Sequence, residues 1–262
     1  MFFDFLKKRK HRKEVKLICF DLDNTLYDFG SAEAEAEAHL AEIIHRDIFA
    51  KKKNHSLKAV DILRIFNEIK KSHMHYDTEP EKFSRALWFR ETLDRLNLRL
   101  KSADLKKYSL RYEKEYWGHL LPRIRLFPNT VATLESLKAS GKYRLATITD
   151  SDGRKDLKIN RIKAVGLDKY FDYIITTDDT GKNKPAIENF EHLLKMSGLD
   201  AEGCVMVGDH PEVDLINAKR AGLVTVWTKE HLNNDMHHNY VDYEIDEIGK
   251  LLDVLKKIER RR

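Results

Sequence analysis

The chain has 262 residues, long enough for one large domain or two smaller ones, and its 42% hydrophobic and 10% aromatic residues are typical of a soluble globular protein. No apolar run approaches the ~18 residues that span a bilayer, and residues 1–6 are too short and too acidic for a signal-peptide core, so we expect a cytoplasmic protein without a membrane span. The net charge of +5 resides in residues 1–13, because the remaining chain carries 42 basic and 42 acidic side chains, and this balance excludes a specific nucleic-acid-binding surface on its body.

The first predicted element is a basic N-terminal tail, residues 1–13, with six basic residues and one acid. Chain termini are usually loose, so we expect the tail to be a solvated extension. Contact with anionic lipid or RNA is the alternative that its charge leaves open.

A buried parallel strand is predicted over residues 15–20, a continuous apolar run with branched and aromatic side chains. Asp21 and Asp23 follow it directly, and their spacing of two residues places both carboxylates on the same side. In an open α/β sheet, ligands bind beyond the carboxyl ends of the strands. The pair therefore predicts a site that binds magnesium and carries a nucleophile, with a helix N-cap followed by a turn as the alternative interpretation.

Helices, and no strand, are predicted between residues 30 and 120. Ser31 is expected to cap the first helix, and Pro80 lies near the first turn of the third. The apolar periodicity places these helices over residues 31–49, 56–74, 80–97 and 102–118. The segment 118–129, which contains two prolines, is a linker by composition.

From residue 130 onward, predicted strands and helices alternate, which indicates an α/β fold with a doubly wound, Rossmann-like parallel sheet. The helices are predicted over residues 130–140 and 153–165, around residue 187, and near 212–221. The strands are predicted over residues 143–149, 173–177, 204–208 and 224–227. The expected organisation is a catalytic core formed by residues 14–28 and 123–262, with an all-helical cap domain, residues 29–122, inserted between its first and second strands.

Polar side chains also follow two later strands of the predicted sheet. Thr149 ends the second strand and Asp150 follows it, whereas Lys184 lies just ahead of the helix near residue 187. Asp209 ends the strand over residues 204–208, and Asp214 lies five residues further on. Because the carboxyl ends of parallel strands meet at one edge of a sheet, we expect a hydroxyl, an amine and a second acid pair to gather beside the first acid pair.

This set of residues, in this order, resembles the haloacid dehalogenase superfamily of phosphohydrolases, and the resemblance extends from about residue 15 to about residue 254. Asp21, Thr149, Lys184 and Asp209 fall on the four motif positions of that superfamily. The segment 146–152 is most similar to a prokaryotic subgroup of phosphatases, some of which act on glyceraldehyde 3-phosphate. The resemblance implies that the inserted helices form a mobile cap over the site.

The resemblance also implies a catalytic role for the first acid pair. Asp21 would attack phosphorus to form an aspartyl-phosphate. Asp23 would protonate the leaving group and then activate the water that hydrolyses the intermediate. Asp21, Asp209 and the backbone carbonyl of Asp23 would hold Mg²⁺, a hard cation suited to oxygen ligands.

The remaining motif residues are implied to bind and orient. Thr149 and Lys184 would contact the phosphoryl oxygens, and Asp214 would orient Lys184 or a metal-bound water. Asp150 departs from the superfamily, which usually has asparagine there; its backbone N–H is expected to bind phosphate, and its side chain is unassigned. His210 replaces a small polar residue, and contact with the substrate or coverage of the metal site are equally open to it.

The function predicted from these residues is Mg²⁺-dependent hydrolysis of a small phosphorylated metabolite. Asp23 favours phosphate-ester chemistry, because dehalogenases and phosphonate-cleaving relatives lack an acid at that position. A phosphomutase keeps this acid and is therefore an alternative, as is a non-catalytic binding protein that retains the fold. Triose phosphates, phosphoglycolate and nucleoside monophosphates are the candidate substrates, and neither the substrate nor the oligomeric state can be chosen from the sequence.

The other candidate ligands are expected to be structural. Cys19 and Cys204 lie in predicted strands and are interpreted as small apolar packing residues. Two groups with ligand-like spacing are expected to be a helix end and a surface loop, because a closed zinc site needs more ligands. These groups comprise His73, His75 and Asp77, and His231, His237 and His238.

Overall fold

The computed structural model describes residues 14–49, 56–74, 79–98, 100–231 and 237–261. The basic tail 1–13 and two candidate ligands, His75 and Asp77, lie outside the described residues. The strands are β1 (Leu17–Phe20), β2 (Tyr27–Asp28), β3 (Arg125–Leu126), β4 (Arg144–Thr149), β5 (Tyr173–Thr176), β6 (Cys204–Gly208), β7 (Val224–Thr228) and β8 (Tyr243–Ile245). The helices are α1 (Phe29–Phe49), α2 (Ala59–His73), α3 (Arg85–Arg95), α4 (Ser102–Leu120), α5 (Thr130–Ala139), α6 (Lys155–Ala164), α7 (Glu188–Ser197), α8 (Ile216–Arg220) and α9 (Leu251–Arg261).

Six of these strands form one parallel sheet in the order β5–β4–β1–β6–β7–β8. Ile18 and Phe20 of β1 belong to one hydrophobic cluster, whereas Leu17 and Cys19 belong to another. The sheet is therefore covered on both faces, which explains why β1 is a continuous apolar run. The chain has the predicted α/β fold, and the pairing of β1 with both β4 and β6 brings three strand ends to one edge.

A helical segment is inserted between β2 and β3, and we call this segment, residues 29–120 with helices α1–α4, the helical insertion. The antiparallel pairing of Tyr27 with Leu126 and of Asp28 with Arg125 holds its start and its end together. As predicted, no strand occurs in the described part of the insertion. Its interior is rich in buried aromatic side chains, namely Phe66, Trp88, Phe89, Tyr112 and Tyr116. The predicted boundaries of the cap domain remain a prediction.

The start of the insertion differs from the sequence prediction. Helix α1 begins at Phe29, so the expectation that Ser31 caps it is wrong. The side-chain oxygen Oδ1 of Asn24 instead accepts hydrogen bonds from the backbone N–H groups of Phe29 at 3.1 Å and Gly30 at 2.9 Å. Asp28 Oδ1 accepts another from Ser31 N–H at 2.9 Å. Side chains upstream of the helix therefore satisfy its free N–H groups.

Other differences concern short elements. The predicted helix 80–97 is divided by Ser84, which follows a 3₁₀ turn over Pro80–Phe83 and accepts a hydrogen bond from Leu87 N–H on its Oγ at 3.3 Å. The helix expected near 212–221 begins with a π-helical turn, Pro211–Leu215, before α8. Strands β2, β3 and β8 were not predicted, because two or three residues are too few to show a strand period. Helix α9, which has 11 residues, was also not predicted.

The helical insertion contacts the core at the loop that follows β4. A Cβ atom added at Gly153 would lie 2.4 Å from Ser84 Cα, closer than any real contact, so these two backbones touch. Asn183 also donates a hydrogen bond from its Nδ2 to the carbonyl of Glu79 at 3.4 Å. Ser84 and Glu79 belong to the insertion, whereas Gly153 and Asn183 belong to the core, so the described insertion lies against the carboxyl edge of the sheet.

Two expectations about composition agree with the fold. Cys19 and Cys204 are buried and carry free thiols, as expected of packing residues. Among the described residues, no helix combines the length and the apolar character that crossing a membrane requires.

Candidate active site

Three buried carboxylates meet at the carboxyl edge of the sheet. Asp21 follows β1, Asp209 follows β6, and Asp214 lies in the π-helical turn beyond β6. One oxygen of each carboxylate lies within 4.8 Å of the other two. Gly208 permits this approach, because an added Cβ would lie 2.5 Å from the Asp214 carboxylate. The sheet order therefore assembles a compact acidic cluster from residues far apart in the chain.

Lys184 supplies the positive charge inside this cluster. Its Nζ donates hydrogen bonds to Asp21 Oδ1 and to Asp214 Oδ1, each at 2.6 Å, and its side chain is buried. Thr25 donates a hydrogen bond from its Oγ1 to Asp21 Oδ2 at 2.9 Å, and Thr25 Oγ1 also lies 3.3 Å from Asp209 Oδ1. Both oxygens of Asp21 are therefore held by neighbouring donors, so its carboxylate has a fixed orientation.

The acidic cluster carries more negative charge than Lys184 neutralises. Burial, opposed by the Lys184 ammonium, raises the pKa of Asp21 to about 7. Burial together with the Asp214 and Asp21 carboxylates also raises the pKa of Asp209 well above its usual range. A divalent cation with a preference for oxygen ligands would compensate this excess, and Mg²⁺ has that preference. The donor set of Asp21, Asp209 and Asp214 therefore fits Mg²⁺, whereas the predicted ligation by the Asp23 carbonyl remains a prediction.

The phosphate-binding candidates of the sequence also lie at this edge. Thr149 ends β4 and is buried, and its Oγ1 has no hydrogen-bond partner among the described residues. Burying a hydroxyl without a partner costs free energy, so a ligand oxygen at this point would satisfy it. Asp150 Oδ1 accepts a hydrogen bond from Lys184 N–H at 2.8 Å. The side chain of Asp150 thus fixes the loop that carries Lys184, and burial raises its pKa.

Asp23 has a different environment from Asp21. Its carboxylate accepts hydrogen bonds from Tyr27 Oη at 2.6 Å, from Lys158 Nζ at 3.1 Å and from both terminal nitrogens of Arg161. Arg161 also donates from Nε and Nη2 to Asp152, at 2.8 and 2.9 Å, and Lys158 Nζ lies 3.3 Å from the same carboxylate. Asp23, which is half-buried, and the buried Asp152, Lys158 and Arg161 form a network of two acids and two cations, which we call the Asp23 network.

The Asp23 network controls the protonation of both of its acids. Burial alone would raise the pKa of Asp23, but the adjacent charges of Arg161 and Lys158 outweigh it and hold the pKa well below its usual range. The pKa of Asp152 is lowered in the same way, chiefly by Arg161. Asp23 is therefore ionised in this arrangement, whereas the raised pKa of the neighbouring Asp21 leaves it partly protonated near neutral pH.

Lys158 and Arg161 were not found by sequence reasoning. Both lie in α6, three residues apart, and each side chain is about 1% exposed. Their residue types and spacing do not distinguish them from solvated charges. The one indication of a role in the site is that α6 follows the strand that ends at Thr149. His210 lies at the surface of the site, where its backbone N–H donates to Asp214 Oδ2 at 3.0 Å.

A cavity of about 370 Å³ opens onto the acidic cluster, and both the core and the helical insertion line it. The core contributes the acidic cluster, Lys184, His210 and part of the Asp23 network. The insertion contributes Phe29, Glu33, Met74, Phe83 and Arg85. These insertion residues were also not found from the sequence, because the cap helices carry no readable motif. The cavity is enclosed by both parts of the chain and suits a small ligand.

The described histidine groups form no metal cluster of three or more ligands. His73 Nε2 lies 2.8 Å from Glu91 Oε2, and His238 Nδ1 lies 2.9 Å from Tyr240 Oη. These contacts agree with the expected structural roles at a helix end and in a surface loop.

A parallel sheet with helices on both faces, and a helical insertion over a polar cavity at its carboxyl edge, are the architecture of a hydrolase with a Rossmann-like core. The sequence pattern of the haloacid dehalogenase-like hydrolases matches residues 15–222. The chain belongs to this family, and it is a phosphatase-type hydrolase.

Relatives of known activity differ in substrate. The chain is 31% identical to the glyceraldehyde 3-phosphate phosphatase of Pyrococcus abyssi over 94% of each chain. It is 29% identical to the phosphoglycolate phosphatase of Neisseria meningitidis, over 82% of this chain and 80% of that protein. The crystal structure of a 2-haloacid dehalogenase from Pseudomonas syringae superposes with a TM-score of 0.69 at 25% identity, covering 93% of this chain and 99% of that one.

Proposed function

We propose that this protein is a Mg²⁺-dependent phosphatase that hydrolyses a small phosphorylated metabolite, such as a phosphorylated sugar or phosphoglycolate, through an aspartyl-phosphate. The observation that carries this proposal is the fixed, buried carboxylate of Asp21, held between Lys184 and Thr25 beside two further carboxylates. A carboxylate in that position is a nucleophile with nearby charge to stabilise a phosphoryl group.

The acidic cluster would hold the metal. Asp21, Asp209 and Asp214 offer oxygens within 4.8 Å of one another, and the pKa values of Asp21 and Asp209 indicate uncompensated negative charge. Bound Mg²⁺ supplies charge neutralisation for the phosphoryl oxygens, which repel an anionic nucleophile. Asp214, expected to orient Lys184, makes that contact at 2.6 Å and is in addition a candidate ligand.

The phosphoryl group would lie among Asp21, Lys184 and Thr149. Asp21 attacks phosphorus, the bond to the leaving oxygen breaks, and the alcohol departs. Lys184 neutralises charge on the phosphoryl oxygens in the transition state, and the unpartnered Thr149 hydroxyl donates a hydrogen bond to one of them. We assign the Asp150 backbone N–H the same role, while its side chain holds the Lys184 loop in place.

Asp23 would act as the acid and the base. Its ionised state, imposed by Arg161 and Lys158, suits removal of a proton from the water that hydrolyses the aspartyl-phosphate. To protonate the leaving oxygen in the first step, Asp23 must first exchange the contact with Arg161 for a contact with substrate and take up a proton from solvent, which it then gives to the departing alcohol. The Asp23 network thus favours the second half-reaction.

The helical insertion would act as the cap of the site, with residues 29–122 as the cap domain and residues 14–28 and 123–262 as the core. A cavity of about 370 Å³ favours a metabolite over a macromolecule. The relatives that act on glyceraldehyde 3-phosphate and on phosphoglycolate support small substrates as well. Among the described residues that line the cavity, none favours a phosphomutase, in which the phosphoryl group returns to a sugar.

The test is phosphate release from a panel of phosphorylated metabolites, with Mg²⁺ and with EDTA, by the wild type and by Asp21→Asn. We expect metal-dependent release by the wild type only, since the amide cannot form the aspartyl-phosphate. Mass spectrometry of quenched wild type should show a phosphate adduct on the peptide containing residue 21. Appreciable Mg²⁺-dependent release by a folded Asp21→Asn variant would refute the nucleophile assignment. Transfer of the phosphoryl group to a second hydroxyl of the sugar, without release, would instead identify a mutase.

A further inference from the structure

We propose that Glu33 and Arg85 of the helical insertion form the subsite that binds the leaving group of the substrate. This subsite selects leaving groups with neutral hydroxyl or carbonyl oxygens over leaving groups that carry a second negative charge. This inference rests on the proposed function, because it concerns the alcohol that departs from the phosphoryl group. We call Glu33 and Arg85 the insertion pair.

The position of Arg85 is fixed and its hydrogen bonding is incomplete. Arg85 lines the cavity but is only 4% exposed. Its Nη1 donates to the Phe83 carbonyl at 2.9 Å and its Nη2 donates to Glu33 Oε1 at 2.8 Å, whereas its Nε has no partner among the described residues. Its guanidinium carbon lies 4.4 Å from the centre of the Trp88 ring, which restrains the plane of the group. A buried guanidinium with a free N–H requires an oxygen acceptor, and the cavity is where a substrate would supply it.

Glu33 presents negative charge to the same cavity. Its Oε1 accepts hydrogen bonds from Arg85 and from Tyr116 Oη at 3.0 Å, and its Oε2 accepts one from Lys70 at 2.5 Å. Burial would raise the pKa of Glu33, but Arg85 and Lys70 outweigh it and lower the pKa, so the group is ionised. A carboxylate accepts a hydrogen bond from a substrate hydroxyl and repels a substrate carboxylate.

The charges around the leaving-group end of the cavity balance. In the insertion, Glu33 and Glu37 are matched by Lys70 and Arg85. In the core, the Asp23 network likewise combines two acids with two cations. Among the described residues that line the cavity, Lys184 is the remaining cation, and it is engaged by the acidic cluster. No surplus positive charge is therefore available for a second anionic group, whereas hydrogen-bond donors and acceptors are available for a neutral one.

The decisive comparison uses two substrates that differ only at the group in question. Glycolaldehyde phosphate carries an aldehyde where phosphoglycolate carries a carboxylate, and p-nitrophenyl phosphate carries neither. We expect wild-type kcat/KM to be about tenfold or more higher for glycolaldehyde phosphate than for phosphoglycolate, a factor typical of one unfavourable buried contact. A wild-type preference for phosphoglycolate overturns the proposal.

Variants of the insertion pair test the residues themselves. Glu33→Gln keeps the shape and removes the charge, so the ratio of the two kcat/KM values should fall at least several-fold toward phosphoglycolate. Arg85→Gln should raise KM for glycolaldehyde phosphate more than KM for p-nitrophenyl phosphate. Arg64→Gln, which alters an exposed pair with Glu68 elsewhere in the insertion, should leave the ratio unchanged.

The ratio compares kcat/KM for glycolaldehyde phosphate with kcat/KM for phosphoglycolate in the same variant, so a general loss of activity lowers both values and leaves their ratio unchanged. A Glu33→Gln variant with a cooperative melting transition and an unchanged ratio overturns the assignment. If neither variant folds, the wild-type ratio decides. Failure of the proposed function is recognised separately, because the wild type would then hydrolyse none of the three compounds with Mg²⁺, including p-nitrophenyl phosphate.

Discussion

Replacing Arg161 tests whether the Asp23 network sets the protonation of the proposed acid and base. Arg161→Met removes two charge-assisted hydrogen bonds to Asp23 and leaves Lys158 and Tyr27 as its remaining partners. An adjacent arginine lowers a carboxyl pKa by about 1–3 units, which corresponds to about 1.4–4 kcal/mol of preference for the ionised form. The substitution should therefore raise the pKa of Asp23 by a comparable amount.

The direction of the effect on rate follows from the base role. Asp23 must be ionised to activate water, so activity is lost as pH falls through its pKa. Raising that pKa moves the acid limb of the pH–rate profile to higher pH, by about 1–3 units. The assay is kcat for p-nitrophenyl phosphate across pH at saturating Mg²⁺, because its good leaving group needs no protonation and leaves hydrolysis of the aspartyl-phosphate to limit the rate.

A matched double variant separates this effect from misfolding. Arg161→Met alone leaves the buried Asp152 with only Lys158, and breaking a buried ion pair costs about 3–5 kcal/mol of stability. Arg161→Met combined with Asp152→Asn removes one charge of each sign and should recover much of that loss while keeping the shifted limb. A folded double variant whose acid limb coincides with that of the wild type would refute the reasoning.

Two further predictions concern the acidic cluster and the contact of the insertion with the core. The pKa of Asp21 is raised to about 7 in the folded state, so between the usual aspartate range and pH 7 the metal-free folded protein binds a proton that the unfolded chain has lost. Its stability should therefore fall as pH rises through this range, and the increase in Tm on adding Mg²⁺ should be larger at pH 8 than at pH 5. An increase in Tm that does not depend on pH would contradict the assignment. Gly153→Ala should lower both Tm and kcat/KM, because Gly153 has a φ of +89° and its added Cβ would meet Ser84 Cα at 2.4 Å. Gly141→Ala is the control, since Gly141 also has a positive φ, +62°, but an added Cβ there would meet no atom within 4 Å; equal losses of kcat/KM in the two variants would show that backbone strain alone is responsible.

The contrast between Asp21 and Asp23 explains how neighbouring aspartates can serve different steps. Lys184 holds Asp21 but does not overcome its burial beside other carboxylates, so its pKa rises. Two cations contact Asp23 with few competing acids, so its pKa falls. In the proposed mechanism, metal binding would favour the ionised nucleophile, whereas Arg161 already ionises Asp23. The two groups can therefore be separated experimentally by varying Mg²⁺ and pH independently.

Sequence reasoning succeeded where a local pattern has a fixed geometric consequence. The apolar run of β1 ends at Asp21, and strands with the same character end at Thr149 and Gly208, so the edge of the sheet followed from their order. It failed where the geometry depends on a few atoms, as at the start of α1, where Asn24 and Asp28 rather than Ser31 accept hydrogen bonds from the first N–H groups. Asparagine, aspartate and serine are all good N-caps, and only the path of the preceding turn decides among them.

By itself, the sequence determined the α/β sheet, the inserted helices and the candidate site residues Asp21, Asp23, Thr149, Lys184 and Asp209, because hydrophobic period and strand-end polarity are local properties. Only the tertiary structure decided which charges are buried and which partners they have. The chain has 48 lysines and arginines, and nothing nearby in sequence marks Arg161 or Arg85 as different from the solvated ones. Arg161 forms a hydrogen bond with Asp23, which lies 138 residues away in the sequence, and Arg85 forms one with Glu33, which lies 52 residues away. The energy of such pairs depends on exclusion of water and on long-range packing, and a linear pattern specifies neither.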